Sequence, residues 1–423
     1  DALANSAVSV GPGATLAVLA SSRVQSLSQP GADAGQVVLA PGATLSTGGT
    51  ADTVFSGAIT GGGALRKLGS GRFTLAGPNS YSGGTLVDAG TLQGDSLALQ
   101  GDITVATQLV FDQGTDGSYA GRIDGAGSLA MQGAGSLALT GVHQHGGGTQ
   151  VLAGTLRLAG GQAVPDAGVV DIAAGATLQL DASETLAQLT GAGALLLQPG
   201  ATLSLGDAGN FRFDGTLAGA GALVKQGSGQ LTLAGASGHQ GGTLVQAGRL
   251  ALAAPAVLAD STVTLASQPG VELRLLGDTR IGALASLDGP VAPAVVLDGF
   301  TLAAGGNGGS TRFAGSTQGS GGLVKQGGGT LTLDGSTGHA GATQVQAGSL
   351  VLAGAQALDV ASAVQVDAGA SLMLAAAQTI GTLAGDGAVQ LGAFQLTTAA
   401  AADSLFGGSI SGSGGLAKLG AGR

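Results

Sequence analysis

Three groups of residues have types and spacings that could support chemistry. Gly94-Asp95-Ser96-Leu97 spells a lipase nucleophile signature, in which a serine on a strand-to-helix turn needs a distant Asp-x-x-His to complete its triad. His143 and His145 form an H-x-H pair, and on a strand that spacing puts both rings on one side, as two metal ligands require. Lys67, Lys225, Lys325 and Lys418 recur in one sequence context, at the parity of neighbouring inward leucines.

Each group also has a structural explanation. No Asp-x-x-His occurs in the chain, no helix pattern follows Ser96, and Ala402-Asp403-Ser404-Leu405 repeats the string by chance. His145 fills a slot held by Tyr81, His239 and His339 elsewhere, so a flat ring stacking on a neighbouring layer or closing a corner accounts for it, and no third metal ligand lies in sequence reach. A buried unpaired ammonium is costly, so each lysine is expected at a strand end, donating to turn carbonyls or snorkelling outward. Met131 in the same slot points to a positional duty. Gly305-Gly306-Asn307-Gly308-Gly309 lacks the helix and Lys-Ser/Thr of a phosphate loop and the Asp period of a calcium β-roll. The Gly-Asp-Ser-Gly string of a serine protease is absent, and the scattered Asp residues with Glu184 and Glu272 do not form the clustered acidic face of a pectate-lyase-like site. The expectation is a non-enzyme with no catalytic, cofactor-binding or metal-ligating residue, no cofactor and no small-molecule substrate.

The elements that carry these residues follow from composition. Glycine supplies 83 of 423 residues, a content usually found in linkers, yet apolar residues make up 44% and mean hydropathy is +0.39. Such a chain needs short buried strands joined by regular tight turns, which is a solenoid. A net charge of −10 with only 15 Lys and Arg excludes nucleic acid as a partner. No apolar run of membrane-spanning length and no signal-peptide pattern at the start is present. The absence of cysteine is compatible with export through an oxidising periplasm.

A long unit recurs near 55–92, 119–156, 213–250, 313–350 and, cut short, 406–423, beginning at Phe55, Tyr119, Phe213, Phe313 and Phe406. Lys67, Met131, Lys225, Lys325 and Lys418 each follow their aromatic by twelve positions, and Tyr81, His145, His239 and His339 by twenty-six. Within the unit the apolar period is two: Phe73 and Leu75 share one face, Arg72 and Thr74 the other. Glycine clusters at 61–63, 83–84, 146–148 and 241–242 are expected to supply positive-φ corners. Looser strand–turn–strand spacers begin at Val8, Val37, Val169, Leu195 and Val364. The pattern predicts an all-β, single-stranded, right-handed parallel β-helix running through 1–423 as one continuous, rod-shaped fragment of something longer. At roughly 20–25 residues per coil and about 4.8 Å per layer, it would make on the order of 18–20 coils.

The unit GxGxLxKxGxGxLTLxGxNxYxGGTxVxAGxL resembles the passenger-associated transport repeat of bacterial autotransporters. The first copy carries it best, through Gly61, Gly63, Leu65, Lys67, Gly69, Gly71, Leu75, Gly77, Asn79, Tyr81, Gly83, Gly84, Thr85, Val87, Ala89, Gly90 and Leu92. The resemblance implies a passenger exported by type V secretion through the periplasm and outer membrane, tied to the membrane only by a C-terminal β-barrel that is not in this sequence. It implies a surface-displayed or extracellular adhesin or virulence factor whose partner is a host protein, a cell-surface ligand or a neighbouring cell. The alternatives are capture of a soluble host protein for immune evasion, or a non-binding stalk. A binding surface is expected where the coil pattern breaks, at 95–118 or 270–300.

Overall fold

The computed structural model describes residues 3–31, 35–336 and 338–423. Alternation decides the local structure. Arg72–Leu75 buries Phe73 and Leu75 and turns Arg72 to solvent, and Thr330–Leu333 buries Leu331 and Leu333. A four-residue strand with two buried leucines cannot stand alone, so it stacks on equivalent strands above and below. The chain divides into two compact units, Asp1–Ala201 and Thr202–Arg423.

In the first unit one parallel ladder runs through Thr53–Phe55, Arg72–Leu75, Thr91–Gly94, Gln108–Asp112, Ser128–Gln132, Thr149–Val151, Val169–Ile172 and Gln188–Gly191. A second joins Ser22–Val24, Thr44–Thr47, Ala64–Lys67, Thr85–Val87, Ile103–Val105, Ile123–Gly125 and His143–His145. Two shorter ladders begin at Thr15–Val18 and at Gly117–Tyr119. The second unit repeats the plan. One of its ladders runs from Phe211–Phe213 to Gly338–His339, and another from Thr311–Phe313 to Ser409–Ser411. Among the described residues every paired strand is parallel and none is helical. The fold is an all-β parallel solenoid, as the period of two predicts.

Register places like on like. Leu137 lies over Gly117 and under Leu156, and Leu156 lies under Leu178, which lies under Leu195. Each such leucine is at most 2% exposed, and full burial stabilises by about 2 kcal/mol per side chain. Each repeat unit spans two coils, since its first, middle and last strands stack in one ladder, but the stretches between copies vary in length, so successive copies start on different ladders. Phe55 ends a strand of the first ladder above, whereas Tyr119 ends a strand of a different one.

The glycine clusters divide into two kinds. Gly61, Gly84 and Gly148 adopt positive φ, as expected, but the 241–242 pair does not. Gly241 is required for close approach instead, because a Cβ there would lie 1.7 Å from the carbonyl oxygen of Gly221 in the preceding coil. The segments 95–118 and 270–300 do not leave the solenoid. Ile103–Val105, Gln108–Asp112, Gly117–Tyr119 and Glu272–Leu275 stay in register, and Thr279–Ser286 and Ala294–Asp298 remain paired in the ladders with one irregularity each. Their excursions are a turn at 96–98 and an irregular stretch at 287–293.

One recurrent bond was not foreseen. Three positions before each unit's aromatic stands Asp52, Asp116, Asn210, Ser310 or Asp403. Its side-chain oxygen accepts the backbone N–H twenty residues later, from Arg72, Ser136, Gln230, Thr330 or Arg423, at 2.6–3.0 Å. Each unit therefore opens with a bracket that fixes one coil on the next. Asp116→Ala is expected to cost about 1 kcal/mol locally and to raise amide exchange around Ser136, while Asp116→Asn, which keeps the acceptor, leaves exchange near the wild-type rate.

Candidate functional site

The recurrent lysines end their strands and turn inward. Lys67, Lys225 and Lys325 are at most 1% exposed. Each ammonium donates to three backbone carbonyls in the same arrangement: Lys67 to Leu68, Gly69 and Ala89 at 2.7, 2.8 and 3.0 Å, Lys225 to Gln226, Gly227 and Ala247 at 2.6, 2.8 and 3.2 Å, and Lys325 to Gln326, Gly327 and Ala347 at 2.7, 2.8 and 3.1 Å. The carbonyls converge because two corners are stacked, each with a glycine at positive φ: Gly69 and Gly90, Gly227 and Gly248, Gly327 and Gly348. The expected donation to turn carbonyls is found. The alternative of snorkelling outward is corrected, since the three oxygens replace the ammonium's water and make burial affordable. Burial pulls all three amines below the ordinary lysine value, Lys225 to about 8. Lys418, on an exposed strand, reaches the Gly420 carbonyl at 2.5 Å.

The ring slot is equally regular. Tyr81 Oη bonds Thr85 Oγ1 at 2.7 Å, His145 Nε2 bonds Thr149 Oγ1 at 2.9 Å, and His339 Nε2 bonds Thr343 Oγ1 at 3.2 Å. In the third copy Thr243 turns to Ser261 Oγ at 2.9 Å. The threonine four positions after the ring was overlooked as a partner, although its fixed spacing in every copy was visible. His143 has a separate duty. Its Nδ1 accepts the Ile123 N–H at 3.1 Å, as Asn79 Oδ1 accepts the Ile59 N–H at 2.7 Å, and its ring stacks on Tyr119 with centroids 6.2 Å apart. The two histidines are thus substitutes for Asn79 and Tyr81. Among the described residues no three His, Asp or Glu side chains converge to hold a metal ion.

Ser96 lies in the turn after Thr91–Gly94. The Asp95 carboxylate accepts the N–H groups of Leu97 and Ala98 at 2.9 and 2.8 Å, and Ser96 Oγ accepts the Gln113 amide at 3.1 Å. The turn drops Ala98 and Leu99 into the core, both at most 1% exposed. The Gly-Asp-Ser-Leu string therefore forms a plug over an open corner, and the serine's recorded partner is an amide in place of a general base.

On the outer faces Arg66, Arg122, Arg157, Arg212, Arg249, Arg274 and Arg312 pair with carboxylates, each pair contributing about 0–1 kcal/mol. These pairs set a carboxylate against each of those guanidinium groups. In the first unit a cleft of about 370 Å3 opens between the His143–His145 strand and the loop carrying Gln162, Pro165 and Asp166. In the second, Gln226, Leu244, Gln246, Gln268 and Leu287 border a shallow trough of about 500 Å3.

The passenger-associated-transport-repeat family model matches residues 65–93, 129–158, 223–252 and 323–352, which contain the lysine (or Met131) and the ring of each copy. The chain is also similar to the Adhesin BmaC autotransporter of Brucella suis biovar 1 (strain 1330), with 30% identity over 383 residues, covering 73% of this chain. It spans 11% of that protein's length. No solved structure matches the chain significantly.

Two outcomes follow for these buried groups. Lys225→Ala removes the donor from three buried carbonyls and leaves a void, and is expected to cost about 3 kcal/mol. Lys225→Met, which copies the side chain at 131, costs less, and local amide exchange around 226–227 and 247–248 measures both. Burial holds His143 and His145 down to about 4 and lowers His239 and His339. Groups with depressed folded-state values bind fewer protons in the fold than in the unfolded chain, so the contribution of these four histidines to stability rises with pH from about 4 to about 6.5 and levels off above. Denaturation midpoints across pH 4–7 are expected to show that rise, and His145→Tyr, which restores the ring of the first copy, to make it smaller while His143, His239 and His339 keep the rest.

Proposed function

We propose that this chain, a segment of an autotransporter passenger built on passenger-associated transport repeats, serves adhesion. Such a passenger is secreted or displayed outside the outer membrane. The observation that carries the reading is the similarity to an autotransporter named as an adhesin over 73% of the chain. The fold suits it: within each unit the coils repeat a regular outward-facing polar surface, which offers many equivalent weak contacts whose avidity exceeds any one of them. The proposed partners are host proteins, cell-surface ligands or neighbouring bacterial cells, and a soluble host protein captured for immune evasion is the variant of that reading. A non-enzymatic role accords with Ser96 engaged by Gln113 and with the H-x-H rings explained by Tyr81 and Asn79.

A second reading is a stalk that presents a binding region lying elsewhere in a longer passenger. It gains from one finding: 95–118 and 270–300 both stay within the coils. Beads coated with this chain, offered to host-cell monolayers and immobilised matrix proteins beside beads carrying a longer passenger, separate the two. Adhesion predicts retention of both sets above bare beads. Retention of the longer passenger alone leaves this segment as the stalk.

A further inference from the structure

Two of the loops that plug the corner after a repeat, those following the second and fourth copies, can be superposed in sequence without a gap. Residues 158–186 correspond to 352–380, so that Gly160, Gln162, Ala163, Val164 and Glu184 stand where Gly354, Gln356, Ala357, Leu358 and Gln378 stand in the fourth copy. In that copy Gln378 clasps its loop with both ends of its amide. Its Oε1 accepts the Ala357 N–H at 2.9 Å and its Nε2 donates to the Gly354 carbonyl at 2.7 Å. In the second copy Glu184 Oε1 accepts the Ala163 N–H at 2.8 Å. Its Oε2, at the position of the glutamine's nitrogen, is buried with no donor to accept from.

We propose that Glu184 is a proton-operated latch: as a neutral carboxyl it donates from Oε2 to the Gly160 carbonyl and holds the 159–168 strap closed, and as a carboxylate it releases it. A buried carboxylate oxygen with no donor to accept from is costly and favours a proton, which by correspondence with Gln378 Nε2 would be aimed at the Gly160 carbonyl. Glu184 is 3% exposed. Burial and the neighbouring Asp166 raise its carboxyl to about 7. Within its unit the other ionisable groups around the strap are His143 and His145, held neutral by burial, and Asp181, paired with Arg157 at 2.7 Å. None of these supplies a cation to Glu184. The strap carries Ala163 and Val164, at most 1% exposed, and forms one wall of the 370 Å3 cleft through Pro165 and Asp166. Its release would uncover apolar side chains beside that cleft as the medium moves from acidic to mildly alkaline.

The direction is fixed by linkage. A carboxyl raised in the closed state keeps its full hold below the ordinary carboxylate value and loses it as pH rises to about 7. Hydrogen exchange on the whole chain, corrected for the intrinsic pH dependence of exchange, tests the latch. Opening of 159–168 is expected to increase on the order of tenfold or more between pH 5 and pH 8, while 353–362 stays constant. Glu184→Gln is expected to abolish the increase, and Gln378→Glu to create one at 353–362. A constant wild-type strap, an increase that survives in Glu184→Gln, or a folded Gln378→Glu chain without one would overturn the proposal.

Discussion

In a solenoid each strand's backbone hydrogen bonds run to the coils before and after it, and among the described residues no strand pairs with its sequence neighbour. That constraint governs both units. A coil must place about twenty residues so that every strand meets its counterpart in register, and the corners must turn without leaving carbonyls stranded in the core. Leucine stacking supplies the attraction, but it is the corners that decide which residues are interchangeable. Lys67, Lys225 and Lys325 each gather three carbonyls from two superposed glycine turns. The glycines must be glycine because their φ is positive, and the amine must be long because the carbonyls lie beyond the strand end.

The same logic explains how side chains of different chemistry share a slot. Asn79 and His143 both offer an acceptor to the N–H one coil below. Tyr81, His145 and His339 each offer a flat ring and a polar atom to the following threonine. Met131 keeps the volume of the lysine and gives up its bonds. An isolated metal-like or catalytic-like motif in such a chain is therefore weighed against its counterparts in other copies, because a slot with a structural requirement accepts several residue types.

The passenger assignment and the solenoid agree on a physical point. A fold whose stability accumulates coil by coil can be extended by repetition, and its outer face can vary while the inward residues stay fixed. Glu184, in place of the glutamine at 378, shows that tolerance introducing a buried ionisable group into a plug. The strap's hold there depends on proton availability, whereas an amide clasp does not.

Much of this was determined by the sequence. Alternating leucines dictated short strands, and the twelve- and twenty-six-residue offsets dictated a repeat. These are local properties, readable wherever spacing alone sets the outcome. The tertiary structure decided what depends on layers twenty residues apart: that Asp52 and its counterparts bracket the next coil, that the lysines turn in, that Gly241 is needed for close approach, and that 95–118 stays in register. It also decided that Phe55 and Tyr119, equivalent residues of successive copies, lie on different ladders, because the stretches between copies are not whole numbers of coils. Sequence spacing along one strand cannot reveal which backbone atom waits one layer away, and at Glu184 that unseen neighbour sets the chemistry.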